Sequence, residues 1–469
     1  MEVSINMTDK ELKSKKIRTS SPRRRPNILL IILGIILTAG ITTGVYLLYK
    51  GYKVSTDIGF QFNPGSVLQP KAEPELKKDS TEKYTNVLLV GIDTREKGNL
   101  MNTDTIIVAS YNHETKNVAM ISIPRDFHAQ IEKDRIWFNK INSVYSVNEQ
   151  KNKGSGLEAL KYTVEGIVDM EIQYYAMIDY KGFVDLIDAV GGVYVNVENS
   201  FTDYMYPKGY GYETVSFKEG PQLMDGTTAL KYSRSRHSMH NNEGSDFARA
   251  RRQQNVIIAF KDTVLSSETL LNPKKVTDLM SAIQNNLKIS EFNIDDIQAG
   301  VNLLKEFSEA GNNTYSFVLD PSAGNFSLIT SQNVVNTGAY AIGPIEGLGK
   351  YTNIHEYVNL LLKDPQLYSE NPSIYVYNTG LGYQDTYKKV QELREEFKYL
   401  NIKYIGNLYS DKEDTYIFSN EQDFEYSIDQ ISKNIEDIKK EKPSFITTNL
   451  RGEDIYILFG KQILTEPQL

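Results

Sequence analysis

Apolar and polar positions divide the chain into three textures. From Pro26 to Tyr49 no charged residue occurs, and the apolar run from Ile28 to Leu48 is long enough to cross a bilayer, which needs about 20 such residues. Residues 50 to 83 mix Gly, Pro, Lys and Glu without a sustained period and predict a spacer. Beyond them, short continuous apolar runs alternate with segments of helical period. Asn86–Val90, Thr105–Ala109 and Val118–Ser122 predict buried strands, and Leu157–Ile167 predicts a helix. Tyr174–Ile178, Tyr180–Val190 and Val193–Val197 continue as strand, helix, strand, and Asp246–Leu265 predicts a long helix with Asp246 as its N-cap. After Asp320 a Gly/Asn/Ser/Thr-rich stretch leads to a second unit. It has a strand at Ser373–Tyr377, a turn at Gly380–Gly382, a helix from about Asp385 to Tyr399, and strands near Ile402–Ile405, Tyr416–Phe418 and Ile455–Phe459.

These elements predict an α/β fold: a central mixed β-sheet flanked by helices, followed by a smaller C-terminal α/β domain. The expected divisions are a basic tail (1–26), a transmembrane helix (27–49), a linker (50–83), a main domain (84–345, core motifs 84–265), a second linker (346–371) and the C-terminal domain (372–469). The 469 residues are 40% hydrophobic and 24% charged, which excludes wholesale disorder and a polytopic membrane protein. With no cysteine, disulfide scaffolds, thiolate metal sites and a cysteine nucleophile are excluded as well.

Charge gives the membrane span a direction. The first 26 residues hold eight Lys/Arg and three Asp/Glu, an excess of five positive charges, which leaves −13 for the remainder of a chain with net charge −8. By the positive-inside bias the N-terminus lies in the cytoplasm and everything after residue 50 outside it, on a single-pass, uncleaved anchor. A cleaved signal peptide is the competing reading, but the apolar run exceeds the usual length and no clear A-x-A site follows. A body that acidic is a poor general nucleic-acid binder, so no nucleic-acid partner is expected.

Candidate chemistry sits at the strand ends. Asp93 follows the first buried strand and Asp104 opens the next, where open α/β sheets hold ligands; two carboxylates there suit Mg²⁺ or Mn²⁺ completed by water and substrate phosphates. Taken singly, each aspartate reads more readily as a loop cap. Arg125 closes the third strand, and Arg234 and Arg236 share a face if their segment is extended. Arg249, Arg252 and Gln253 recur at three and four residues on the long helix, with Arg251 pointing elsewhere. Guanidinium forks suit diphosphate oxygens, although surface ion pairs are an even alternative at each site. The five histidines show no zinc-hydrolase spacing and no phosphate-binding Gly-x₄-Gly-Lys-Ser/Thr loop occurs.

In order, Asn86–Arg95 (NVLLVGIDTR), Thr103-Asp104-Thr105, Ser122–Asp126 (SIPRD), Lys140-Ile141-Asn142, Gly182-Phe183 with Asp188–Val193, Tyr232–His237 (YSRSRH) and Asp246–Gln254 (DFARARRQQ) resemble the successive motifs of the LytR-CpsA-Psr family. The resemblance covers about residues 84 to 265, and Pro372–Phe459 resembles the C-terminal domain that often follows. It implies a membrane-anchored enzyme of cell-walled, mainly Gram-positive bacteria that moves a glycopolymer, such as a teichoic acid, from a polyprenyl-diphosphate carrier to peptidoglycan. It also implies a metal held with the diphosphate near Asp93 and Asp104, and a diphosphate gripped by Arg125, Arg234, Arg236, Arg249, Arg252 and Gln253. One departure is Asn102, where the family commonly has arginine; Arg95 is a candidate to replace it.

Phosphoryl transfer needs charge neutralisation and a positioned acceptor hydroxyl, for which a metal and arginines suffice. Asp93 and Arg125 are both candidates to assist deprotonation. The carrier chain calls for a long apolar pocket, with Tyr174–Leu186 and Val256–Leu265 as the segments to line it or simply to form core. Two other functions compete: a non-catalytic surface protein that binds polyprenyl diphosphate or wall glycan, and a lipid diphosphatase in which water replaces the acceptor.

Overall fold

The computed structural model describes residues 75–93, 101–264, 266–270, 272–290, 299, 303, 306, 310, 313–320, 327–334, 338–420, 424–447, 450 and 454–461. The expected span at 27–49 lies outside the described residues, among which no helix is long and apolar enough to cross a membrane.

The chain enters its main sheet as an antiparallel meander of β1 (Tyr84–Ile92), β2 (Thr103–Asn112) and β3 (Val118–Ser122). A hairpin follows, β4 (His128–Glu132) with β5 (Arg135–Lys140), then helices α1 (Val144–Lys151) and α2 (Gly156–Val168). Strand β6 (Tyr174–Asp179) returns parallel to β1 and runs directly into α3 (Tyr180–Ala189). Beyond it β7 (Val193–Val197) pairs with β10 (Gly220–Met224) around the hairpin of β8 (Phe201–Lys208) and β9 (Gly211–Phe217). Helices α4 (Gly226–Arg234), α5 (Asp246–Val264) and α6 (Pro273–Asn286) come next, then β11 (Leu287–Ile289), β12 (Thr314–Val318) and an antiparallel pair, β13 (Ile329–Asn333) with β14 (Tyr340–Pro344). The six-stranded order β11-β6-β1-β2-β3-β12 mixes parallel and antiparallel pairs, as the alternation of strands and helices predicts.

The apolar runs in β1 to β3 are continuous because both faces of these strands are covered. Leu88, Val90, Val108 and Ile121 point into one core with Leu157, Leu160 and Val164 of α2. The intervening Val87, Ile107, Ala109 and Met120 join a second core, against which Ile257 and Ile258 of α5 pack. Gln254 fixes α5 to the sheet, donating from Nε2 to Ser122 Oγ (2.9 Å) and to the Phe317 carbonyl (2.8 Å).

Three local expectations change. Asp246 is the first helical residue rather than the cap; Ser245 Oγ accepts the Ala248 amide at 3.1 Å, so the cap lies one residue earlier. The segment carrying Arg234 and Arg236 is not extended, because α4 runs to Arg234 and Ser235 turns the chain out of it. Residues 346–371, expected as a linker, carry α7 (Thr352–Lys363) and α8 (Pro365–Glu370). Their buried Ile354, Val358, Leu361 and Leu367 belong to one apolar cluster with the main-sheet core and with Ile374 and Val376 of β15 (Ser373–Asn378). That strand lies in a five-stranded mixed sheet with β16 (Asn401–Asn407), β17 (Thr415–Phe418), β18 (Ile438–Lys439) and β19 (Ile455–Phe459), in the order β16-β15-β19-β17-β18.

Candidate active site

A cavity of about 640 Å³ opens where β1 and β6 meet α3 and α5. Leu89 and Gly91 of β1 lie beside Ala176 and Ile178 of β6 in the parallel register, so one face of the sheet presents a row of modest side chains. Phe183, Leu186 and Ile187 of α3, Val256, Ile257 and Phe260 of α5, and Leu287 complete an apolar bore. The two segments expected to border a lipid pocket, Tyr174–Leu186 and Val256–Leu265, both contribute to it. Gly91 faces Thr105 across the β1–β2 pair so closely that an added Cβ would stand 3.0 Å from the threonine side chain.

Charged residues from four chain regions gather at the cavity wall. Asp93, Asp104, Arg125, Arg234, Arg236, Arg249 and Gln253 all line it, as do Asn102, Asp126, Lys140, Asn142 and His237. Arg125 Nη1 donates to Asp104 Oδ1 at 2.9 Å, and its Nε lies 3.7 Å from Asp126 and 3.6 Å from Asp246. Burial opposes the Arg125 charge, but these three carboxylates outweigh it and raise the pKa, so the group stays protonated. Tyr180 Oη donates to the other Asp104 oxygen at 3.0 Å. Arg234 lies over the Tyr180 ring, 4.2 Å from its centroid, and donates to Tyr206 Oη at 3.0 Å. Arg236 and His237 are placed by their backbone amides, both of which donate to the fully buried carboxylate of Asp203. Arg249 is 5% exposed; Nη1 pairs with Asp246 at 3.0 Å, while its buried Nε has no hydrogen-bond partner. A buried, unsatisfied guanidinium donor beside a cavity is a place where an anion binds with a large gain.

Arg252 is not brought to this wall. It is 2% exposed and does not line the cavity. Its Nε donates to the Tyr232 carbonyl (3.0 Å), Nη1 to the carbonyl (3.0 Å) and carboxylate of Glu243, and Nη2 to the Ser235 carbonyl. Arg252 therefore holds the segment that carries Arg234 and Arg236 from beneath. Helical spacing placed it near Arg249 and Gln253, but the chain that folds over α5 decides which face it meets. Arg251 is exposed, as its spacing predicts. Arg95 lies outside the described residues.

Tyr180, Asp203 and Asp126 are not among the site candidates that the sequence singles out. Asp126 and Lys140 stand inside the quoted motifs, which was the available signal; Asp203 lies in an unremarkable hairpin and offers none. Among the described residues no group of three or more His, Asp or Glu is arranged to hold a metal by protein ligands alone. The donor set fits a hard cation completed by a ligand: Asp93 and Asp104 border one cavity, and each Asp104 oxygen keeps accepting capacity beyond its single hydrogen bond.

The chain is 29% identical over 289 residues to the polyisoprenyl-teichoic acid--peptidoglycan teichoic acid transferase TagU of Bacillus licheniformis, an alignment that covers 61% of this chain and 85% of the relative. The protein of the same name from Oceanobacillus iheyensis is 30% identical over 308 residues, covering 65% and 86%. The crystal structure of Bacillus subtilis TagV superimposes with a TM-score of 0.44 at 24% identity, covering 60% of this chain and 96% of that one. The sequence model of the LytR_cpsA_psr family matches residues 46–318, more than half of the chain, and the protein therefore belongs to the LytR-CpsA-Psr family.

Proposed function

We propose that this protein transfers a wall glycopolymer, teichoic acid or a related polysaccharide, from a polyprenyl-diphosphate carrier to peptidoglycan, forming a phosphodiester. The observation that carries the reading is a single cavity joining an apolar bore to a wall of arginines and two aspartates. That pairing matches a molecule with a hydrocarbon tail and a diphosphate head. The relatives named as teichoic acid transferases support the polymer class.

In this reading the carrier chain enters the bore between α3 and α5, and the diphosphate meets Arg125, Arg234, Arg236, Arg249 and Gln253. Arg125, kept protonated by its carboxylates, neutralises charge on non-bridging oxygens as it grows in the transition state. Tyr180 orients Asp104 through one carboxylate oxygen while Arg125 takes the other. Asp93 and Asp104 would hold Mg²⁺ or Mn²⁺ with the diphosphate, and the ion would supply charge neutralisation and orientation of the reacting groups. The basic tail and apolar run before residue 50 support a single-pass anchor with a cytoplasmic N-terminus and the catalytic unit, residues 84–345, outside the cell. Residues 372–469 are assigned an accessory role, because among the described residues every one that lines the cavity lies between Leu89 and Leu287.

The test is the full-length protein in vesicles with a lipid-diphosphate-linked saccharide and peptidoglycan oligomers. We expect transfer that depends on added Mg²⁺ and is abolished in Asp93→Ala and in Asp104→Ala, with circular dichroism unchanged. Undiminished transfer in both variants removes the metal assignment. Release of lipid phosphate without a transfer product identifies a diphosphatase, and substrate binding without turnover identifies a receptor.

A further inference from the structure

Transfer requires a proton acceptor for the incoming hydroxyl, and in the reading above Asp93 and Asp104 are committed to the cation, which leaves that role open. Arg125 is held protonated by three carboxylates. Asp104 accepts from both Arg125 and Tyr180. One group of polar cavity-lining residues has no role so far, that of Asp126, Lys140 and Asn142. Its backbone is closely tied together: the Asn142 amide donates to the Arg125 carbonyl (3.2 Å) and the Ile141 amide to the Phe127 carbonyl (2.7 Å). The two motifs SIPRD and Lys-Ile-Asn are thereby locked against each other, and Lys140 Nζ reaches Asp126 Oδ1 at 2.7 Å.

Resting on the transferase reading, we propose that Asp126 is the catalytic base, which accepts the proton of the acceptor hydroxyl while Lys140 and Asn142 border the site where that hydroxyl enters. The hydroxyl oxygen bonds to the phosphorus that carries the glycan, the bridging P–O bond breaks, polyprenyl phosphate leaves with the electron pair, and the proton passes to an Asp126 oxygen. Atoms and charge balance without an added reactant.

Several charged groups face Asp126. Lys140 reaches it from β5, Arg125 is adjacent in sequence, Asp246 and Arg249 belong to α5, and Asp104 on β2 is linked through Arg125. Burial is the main influence and raises the Asp126 pKa; Asp246, a hydrogen-bond neighbour, raises it further, while Lys140 and Arg125 pull it down. Asp246 is held below the usual carboxylate range, since Arg249 and Arg125 outweigh its burial. Of the two carboxyls only Asp126 lines the cavity, and it is also the better proton acceptor.

These influences have opposite signs and supply a test that a purely structural role does not pass. Activity should fall on the acid side as Asp126 becomes protonated. Lys140→Met removes a group that lowers the Asp126 pKa, so the acid limb of the pH profile should move to higher pH. Asp246→Asn removes one that raises it, so the limb should move to lower pH. Asp126→Asn should lower kcat by about 10²–10⁴-fold, the usual contribution of a general base. In that variant, affinity for a short-chain polyprenyl diphosphate, read by fluorescence titration, should stay within about threefold, since base catalysis and ground-state binding are separate terms.

The full-length protein is assayed with a short-chain lipid-diphosphate-linked disaccharide and peptidoglycan oligomers. A wild type that transfers alongside an Asp126→Asn variant of equal kcat overturns the base assignment and leaves the transferase reading standing. A wild type that transfers nothing defeats the transferase reading itself, and the base assignment with it. An acid limb that moves in the same direction in Lys140→Met and Asp246→Asn, or that vanishes in His237→Gln, also overturns the assignment.

Discussion

The arginines of α5 have unlike duties, although 249, 251 and 252 are separated by at most three residues. Arg249 reaches the cavity with one donor unsatisfied, Arg251 points to solvent, and Arg252 spends its donors on Tyr232, Ser235 and Glu243. Burial opposes the charge on Arg252, and Glu243 offsets only part of that cost, so its pKa is lowered. Removing one partner of a buried ion pair strands the other. Arg252→Ala should therefore destabilise the fold by about 3–5 kcal/mol, and Arg251→Ala should stay within about 0.5 kcal/mol of wild type. Arg249→Ala should instead weaken binding of a polyprenyl diphosphate. Urea unfolding and ligand titration of the three variants separate these outcomes; an Arg252→Ala protein as stable as wild type would show that the Glu243 pair contributes nothing. Arg252 was illegible in the sequence because helical spacing gives an angle about the axis, not the identity of what packs there. Residue 252 lies only about 60° from 249 around the helix, close enough for one face or the other, and the segment from Ser235 to Glu243 decides which.

Helices and strands were legible where burial imposes a period. Val118–Ser122 and Ile455–Phe459 occur at the expected residues because each is an apolar run ended abruptly by polar or turn-forming neighbours, and Val193–Val197 because its buried valines alternate with exposed Tyr194 and Asn196. The β8–β9 hairpin was not legible, since its exposed Tyr204, Met205 and Tyr212 blur the alternation of a half-buried strand. The contact of α3 with α4 is likewise invisible to periodicity. It depends on Gly226, where an added Cβ would stand 2.4 Å from the Val184 carbonyl oxygen. The helix must shift to admit even one methyl group, and Arg234 sits at its other end. Gly226→Ala should cost about 1–3 kcal/mol by overpacking and should also lower transfer activity, because α4 carries Arg234 into the cavity. Thermal unfolding and the transfer assay check both parts, and a variant with wild-type stability would mean that the α3–α4 contact yields freely.

For the whole molecule, the sequence suggests two units with a linker at 346–371, and on that division a chain ending near Ser369 folds and works alone. The packing predicts a different outcome for stability. His355 on α7 bonds to the Gly166 carbonyl of α2 at 3.0 Å, and Tyr315 of β12 donates to Gln366 of α8 at 3.3 Å. On the other side Tyr399 donates to the Asn353 carbonyl, Tyr368 to the Lys398 carbonyl and Tyr426 to Asp364. The two helices are thus wedged between the sheets, and their buried leucines have core partners in both. A chain ending after Ser369 would keep the entire cavity lining but expose the apolar side of α7 and α8, so it should retain turnover per folded molecule while unfolding at lower urea concentration. The shared core also bears on cooperativity. Trp137, the only tryptophan, lies on β5 of the β4–β5 hairpin and packs against the shared core, so its fluorescence reports the surroundings of that hairpin, whereas far-UV circular dichroism reports both sheets. If the core couples the sheets, the two signals should trace one urea transition for the full-length protein, because unfolding either sheet strips burial from the other. Two transitions separated by more than the width of either would mean that α7 and α8 belong to one unit only, and the truncation after Ser369 would then reveal which.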